Sequence, residues 1–244
     1  MENKRRSFIK TAMIGAISTS LYTPEGHSLL EPRIQSGATI LFQGDSITDS
    51  SRKRSQEEAN LPDGLGNGYA FLAAGKILNR HASKGLKIYN RGISGNKVPQ
   101  LMERWQEDCL AIKPDILSIL IGINDYWHKR NGNYQGSPEE FYEQYIELIE
   151  STKAELPNLQ LIIGEPFALK DVKAVDQSWF PELERYQKAT ERVAQRFGAT
   201  FIPYQKIFTK ALATAPGSYW TTDGIHTTLA GSELMAEAWV KAVK

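Results

Sequence analysis

From residue 38 onward, short apolar runs alternate with longer stretches whose apolar residues recur at helical spacing. The runs at 38–42, 86–89, 116–121, 159–164 and 200–203 predict five buried strands. Ile116-Leu117-Ser118-Ile119-Leu120-Ile121 is the most continuous of them. Phe71, Leu72, Ala74 and Leu78 mark a helix over 69–78, and Leu101, Trp105, Cys109 and Ile112 form one stripe over 98–112. Ser137-Pro138-Glu139-Glu140 starts another that runs to about 156: serine to cap it, proline at the first position, acids in the first turn. Further helices are predicted over 181–197 and 229–243. Strands alternating with helices in this way form a parallel sheet covered on both faces, a three-layer α/β/α sandwich.

Such sheets place ligands at the carboxyl ends of their strands, beside the point where strand order reverses. Three strand ends run into small polar turns: Gly44-Asp45-Ser46, Gly92-Ile93-Ser94-Gly95 and Gly122-Ile123-Asn124-Asp125. The first delivers a hydroxyl to the rim, where a nucleophile would be mounted, although an isolated Gly-Asp-Ser is more often a plain turn or helix cap. Gly95 offers a backbone N–H in a turn, and Asn124 an uncharged amide. Both suit an oxyanion, since they donate without adding a titrating charge. Near the C-terminus stands Asp223-Gly224-Ile225-His226. A carboxylate three residues before a histidine can fold back onto Nδ1 and leave Nε2 free as a base; the same turn could equally cap the helix from residue 229.

Other chemistries find less support. Gly64, Gly66 and Gly68 do not follow a strand directly, and no lysine of a nucleotide loop accompanies them. The four histidines (His27, His81, His128 and His226) include no pair at metal-ligand spacing, so no metal site is predicted. The formal charge of the 244 residues is +1 and no basic stripe exists, which gives no reason to expect nucleic acid. Cys109 is the only cysteine, so no internal disulfide can form.

The N-terminus is a different kind of segment. Lys4-Arg5-Arg6-Ser7-Phe8-Ile9-Lys10, followed by a mildly apolar stretch without acids to residue 22, resembles a twin-arginine export leader. Its apolar part falls short of the roughly 20 residues that span a bilayer, as does every later segment. Small residues at Ala16-Ile17-Ser18 and Ser18-Thr19-Ser20 offer two cleavage points. Residues 1–22 therefore read as a leader that would engage the export machinery, 23–37 as a linker, and 38–244 as the functional domain. Export to the periplasm or the exterior is the expectation.

The four motifs Gly44-Asp45-Ser46, Asn90…Gly95, Gly122-Ile123-Asn124-Asp125 and Asp223-x-x-His226 occur in the order and spacing of the SGNH (GDSL-type) hydrolases. The chain resembles that family from about Gly37 to its end. Chain order argues against the α/β-hydrolase fold, whose serine sits in Gly-x-Ser-x-Gly, because Thr48 occupies the second glycine's place. The resemblance implies a five-stranded flavodoxin-like fold and serine chemistry without a cofactor. Ser46 would be the nucleophile, His226 the base and Asp223 its orienting acid. The oxyanion hole would combine the N–H groups of Ser46 and Gly95 with the amide of Asn124. Ile47 departs from the family's usual leucine, at a packing position; Asp45 and Asp125 read as anchors of their turns.

The longer segments Gly-Asp-Ser-Ile-Thr-Asp, Asn-Arg-Gly-Ile-Ser-Gly-Asn, Arg-Trp-Gln-Glu-Asp, Lys-Pro-Asp and Ile-Gly-Ile-Asn-Asp-Tyr-Trp look most like acetylxylan and acetyl-xylooligosaccharide esterases. Tyr126, Trp127 and Trp220 are expected to crowd the pocket mouth and offer flat rings to a sugar. A small-molecule or oligosaccharide ester is thus the expected substrate. A lipase, lysophospholipase or thioesterase of the same family, and a carbohydrate-binding protein without turnover, are the alternatives. The resemblance allows a homo-oligomer, but no stretch identifies an interface.

Overall fold

The computed structural model describes residues 32–173 and 175–243. Five strands, β1 (Thr39–Gly44), β2 (Lys87–Asn90), β3 (Ile116–Leu120), β4 (Gln160–Gly164) and β5 (Thr200–Ile202), pair in the order β2-β1-β3-β4-β5, all parallel. Each lies within two residues of its predicted bounds. The strand order reverses at β1, so the loops after β2 and β3 flank the loop after β1.

The helices are α1 (Ser46–Asp49), α2 (Pro62–Leu65), α3 (Tyr69–Arg80), α4 (Val98–Trp105), α5 (Ile123–Arg130), α6 (Pro138–Glu155), α7 (Phe180–Phe197), α8 (Tyr204–Ala211), α9 (Gly217–Trp220) and α10 (Leu229–Lys241). On one face of the sheet α3 packs against α10, whose Trp239 lies on Phe42 of β1 with ring centroids 4.7 Å apart. Trp239 Nε1 donates to Ser118 Oγ of β3 at 2.9 Å, so the buried indole keeps a polar partner. On the other face α4, α6 and α7 pack in succession, and Trp105 Nε1 donates to Thr152 Oγ1 at 2.8 Å. The start of α6 follows from its sequence: Ser137 Oγ accepts from Glu140 N, and the Glu140 carboxylate accepts from Ser137 N.

One predicted helix is broken. The stripe over 98–112 is α-helical only to Trp105, after which Gln106–Leu110 forms a π-helical turn closed by Ala111 N donating to Gln106 O at 2.9 Å. One extra residue in that turn still leaves Cys109 buried, so the apolar pattern alone did not betray it.

The predicted leader, 1–22, lies outside the described residues, as do residues 23–31 of the linker. Its last part is held against the domain. Ile34 is buried, and Arg33 exchanges two hydrogen bonds with the Gln160 side chain at the foot of β4. No helix among the described residues is long and apolar enough to cross a membrane.

Candidate active site

β1 ends at Gly44, where φ is +155° and a Cβ would meet Leu120 O at 2.3 Å. Only glycine lets the strand end turn so close to its neighbour. Asp45 then caps α1, its Oδ1 accepting from Ile47 N at 3.0 Å, which leaves Ser46 at the first turn with its hydroxyl free to project. The turn is clamped from outside. Asn90 Nδ2 donates to Thr48 O at 2.6 Å, and a Cβ on Gly92 would stand 2.5 Å from Asp49 N. Ser94 N and Oγ both donate to Asp49 Oδ2, at 2.9 and 3.1 Å.

Asp223 organises the opposite side. Its Oδ1 accepts from Ile225 N at 2.9 Å and His226 N at 2.8 Å, and its Oδ2 lies 2.6 Å from His226 Nδ1. A proton on Nδ1 satisfies that contact with a carboxylate, and in the neutral imidazole this leaves Nε2 with a lone pair. Nε2 stands 2.8 Å from Ser46 Oγ, where it accepts from the hydroxyl. Burial raises the Asp223 pKa, but the hydrogen bonds from the His226 ring, His226 N and Ile225 N outweigh it and hold the carboxyl below its ordinary value. The structure thus brings Ser46, His226 and Asp223 into one hydrogen-bonded chain. It also joins the two proposed oxyanion loops, because Asn124 Nδ2 donates to Asn96 O at 3.2 Å, next to Gly95.

The sequence around this site matches a known family. The profile of the GDSL-like lipase/acylhydrolase family covers residues 42–234. The chain belongs to that family. It is a carboxylic ester hydrolase, 30% identical to an acetylxylan esterase from Geobacillus stearothermophilus over 86% of this chain and 96% of that one. Among solved structures, one from Parabacteroides merdae, provisionally described as a GDSL-like lipase, shares 44% identity. Its TM-score is 0.84, with 86% of this chain and 96% of that one covered. A variant of the Geobacillus acetyl-xylooligosaccharide esterase superposes with a TM-score of 0.77 at 30% identity, covering 86% and 95%. Three other forms of that enzyme are described as catalytic mutants, in which alanine replaces a serine, an aspartate or a histidine.

The aromatic mouth of the esterase is narrower than its sequence suggests. Trp127 is half-buried, with its ring centroid 6.4 Å from that of His226. Tyr126 instead is 1% exposed and packs on Trp179 and Tyr186, because neighbours on a helix point about 100° apart. Trp220 faces a different recess. It lines an apolar groove between α8, α10 and β5, and its Nε1 donates to Ala215 O.

What surrounds the nucleophile is a cavity of about 290 Å³ lined by Ser46, Ile47, Ser50, Ser51, Ser94, His226 and Thr227. Ser50, Ser51, Ser94 and Thr227 were not anticipated. Ser50 and Ser51 have φ of +39° and +60°, an uncommon left-handed pair that turns the chain back across the pocket. A serine pair directly behind the nucleophile turn was the signal available. Among the described residues, no cluster of three or more His, Cys, Asp or Glu side chains could hold a metal ion.

Two carboxyls beneath the pocket behave differently from Asp223. Burial pushes Asp45 up to about 7, with the nearby Asp125 adding to it, and burial likewise pushes Asp125 up to about 7. Glu165, at the end of β4, rises to about 7 for the same reason. In the unfolded chain these groups ionise near pH 4. Between pH 4 and 7 the folded state therefore keeps protons that the unfolded state has lost. Stability should fall as pH rises through this range and level off above 7. Asp45→Asn cannot ionise and keeps the acceptor for Ile47 N. Thermal denaturation at pH 5 and 8 should find the variant less pH-sensitive than the wild type and more stable at pH 8. Equal slopes for the two proteins would show that Asp45 ionises normally.

Proposed function

We propose that this esterase removes small acyl groups, acetyl above all, from carbohydrate through an acyl-serine intermediate. The observation that carries the reading is the unbroken chain Ser46 Oγ, His226 Nε2 at 2.8 Å, and Asp223 Oδ2 at 2.6 Å from Nδ1. Nε2 takes the Ser46 proton as Oγ attacks the ester carbonyl, and Asp223 stabilises the imidazolium that results. The N–H groups of Ser46 and Gly95 and the amide of Asn124 receive the oxyanion. On collapse His226 returns the proton to the departing sugar oxygen. A water molecule, deprotonated in turn by His226, then releases the acid and restores Ser46.

The substrate reading rests on the pocket and on the relatives. A cavity of about 290 Å³ walled by hydroxyls suits an acetyl group and a polyol, whereas a long acyl chain wants an aliphatic groove. The larger groove beside Trp220, about 660 Å³, shares no residue with that cavity. The relatives named for acetylxylan and acetyl-xylooligosaccharide esters support the same class. The paired Arg5 and Arg6 support residues 1–22 as an export leader, so that the 38–244 domain would meet its substrate outside the cytoplasm. Acetate release from acetylated xylo-oligosaccharides, set beside p-nitrophenyl esters of rising chain length, tests the assignment. Acetyl should be the preferred acyl group; a preference for long chains would replace the sugar ester with a lipid.

A further inference from the structure

Arg104 lies on α4 and opens the Arg-Trp-Gln-Glu-Asp segment, which carries no assigned role, yet its guanidinium reaches both the end of β1 and the loop after β2. Nε donates to Asn96 Oδ1 at 2.8 Å, Nη1 to Arg91 O at 2.8 Å, and Nη2 to Gly44 O at 3.4 Å. Residues 91 and 96 bracket Gly95, and Gly44 precedes Ser46 by two positions. Asn96 in turn uses its carbonyl to hold the Asn124 amide. One rigid, planar fork thus ties the end of β1, which leads to Ser46, to the loop that carries Gly95, and it reaches Asn124 through Asn96.

The support for that fork is itself unusual. Asp108 Oδ2 accepts from Arg104 Nη1 at 2.8 Å, and Asp108 sits in the π-helical turn after α4. Its carbonyl accepts from Gln43 Nε2 of β1 at 2.8 Å, so the turn is tied to the nucleophile strand as well. The charge of a half-buried arginine is balanced there, and its head is fixed on both sides. The side chain is 15% exposed. π-turns are rare and concentrate where a helix must aim a group at a functional site.

We propose that Arg104 is a positioning residue for the oxyanion hole, holding the Gly95 and Asn124 donors in register with Ser46. This rests on the serine-esterase reading above. Displacing such donors by a fraction of an ångström weakens their hold on the transition state more than on the ground state. The loss should therefore appear in kcat, with KM nearly unchanged.

Arg104→Lys keeps the charge near Asp108 but cannot span the three acceptors, and Asn96→Ala removes one acceptor while leaving the ion pair in place. With p-nitrophenyl acetate, Arg104→Lys should lower kcat by about 10- to 100-fold and Asn96→Ala by about 3- to 10-fold, each with KM within about twofold of wild type. Labelling by a fluorophosphonate, whose oxygen occupies the same hole, should slow in step with kcat. The pH profile of kcat should keep its wild-type shape, because His226 is untouched. Wild-type kcat in both variants, or a loss no greater than the loss of folded protein, would overturn the proposal. If Arg104→Lys does not fold, Asn96→Ala decides by the same readouts. A wild-type enzyme inert towards every ester and towards the phosphonate would instead bring down the serine-esterase reading itself.

Discussion

Ser46→Ala is expected to lower kcat by about a hundred-thousand- to a million-fold, the range seen when a nucleophile is removed from a hydrogen-bonded triad. The side chain's one described hydrogen bond is to His226 Nε2, and the residue is only partly buried. Its loss should therefore change stability by no more than about 0.5 kcal/mol. A folded but nearly inactive protein is the expected result, read by steady-state turnover of p-nitrophenyl acetate beside a melting curve. The three groups act as a unit, so adding His226→Ala to Ser46→Ala should cost almost nothing more. Asp223→Asn tests the same chain from its far end. An amide presented to Nδ1 would favour the tautomer with the proton on Nε2, which can no longer accept from Ser46; the expected loss is about 10,000-fold. Retention of even a tenth of wild-type kcat by Ser46→Ala would mean that another group attacks the carbonyl.

Most of the frame was legible because it follows from local pattern. The strands are short apolar runs, and the long helices carry either a cap, as at Ser137, or an apolar stripe. The elements that were missed divide by cause. α1, α2 and α9 have four residues each, too few to show a period. α5 is mostly polar beyond its first turn. α8 is different: Tyr204, Ile207, Phe208 and Ala211 stand at helical spacing, and that signal was present but passed over. The triad was readable because its residues sit in short, ordered motifs. The pocket wall was not, since Ser50, Ser51 and Thr227 become neighbours of the nucleophile only through backbone turns without an apolar signature. The aromatics failed in the opposite way. Adjacency to a motif in sequence placed Tyr126 and Trp220 near the site; the helix period turned the Tyr126 ring into the core, and Trp220, at the end of α9, lines a separate groove.

Asn124→Ala should cost about 100- to 1000-fold in kcat and leave KM within about twofold, the signature of a donor that engages the oxyanion more strongly than the ground-state carbonyl. Its position follows from the fold: β3 is the strand beside β1, and α5 begins directly after its end, so the amide is carried to the flank of Ser46 on a rigid helix start. Asn96 O, its partner at 3.2 Å, is a long contact that a substrate oxygen can outcompete. The pH dependence separates this loss from damage to the triad. An asparagine does not titrate, so the kcat profile of Asn124→Ala should keep the wild-type midpoint, whereas any change that loosens the Asp223–His226 pair should move it. Asn124→Asp extends the argument. It preserves size but replaces a donor by an anion next in sequence to the buried Asp125, so it should be slower than the alanine variant, most of all at high pH. A rise in KM with kcat unchanged would instead make Asn124 a ground-state contact and leave the oxyanion to backbone groups alone.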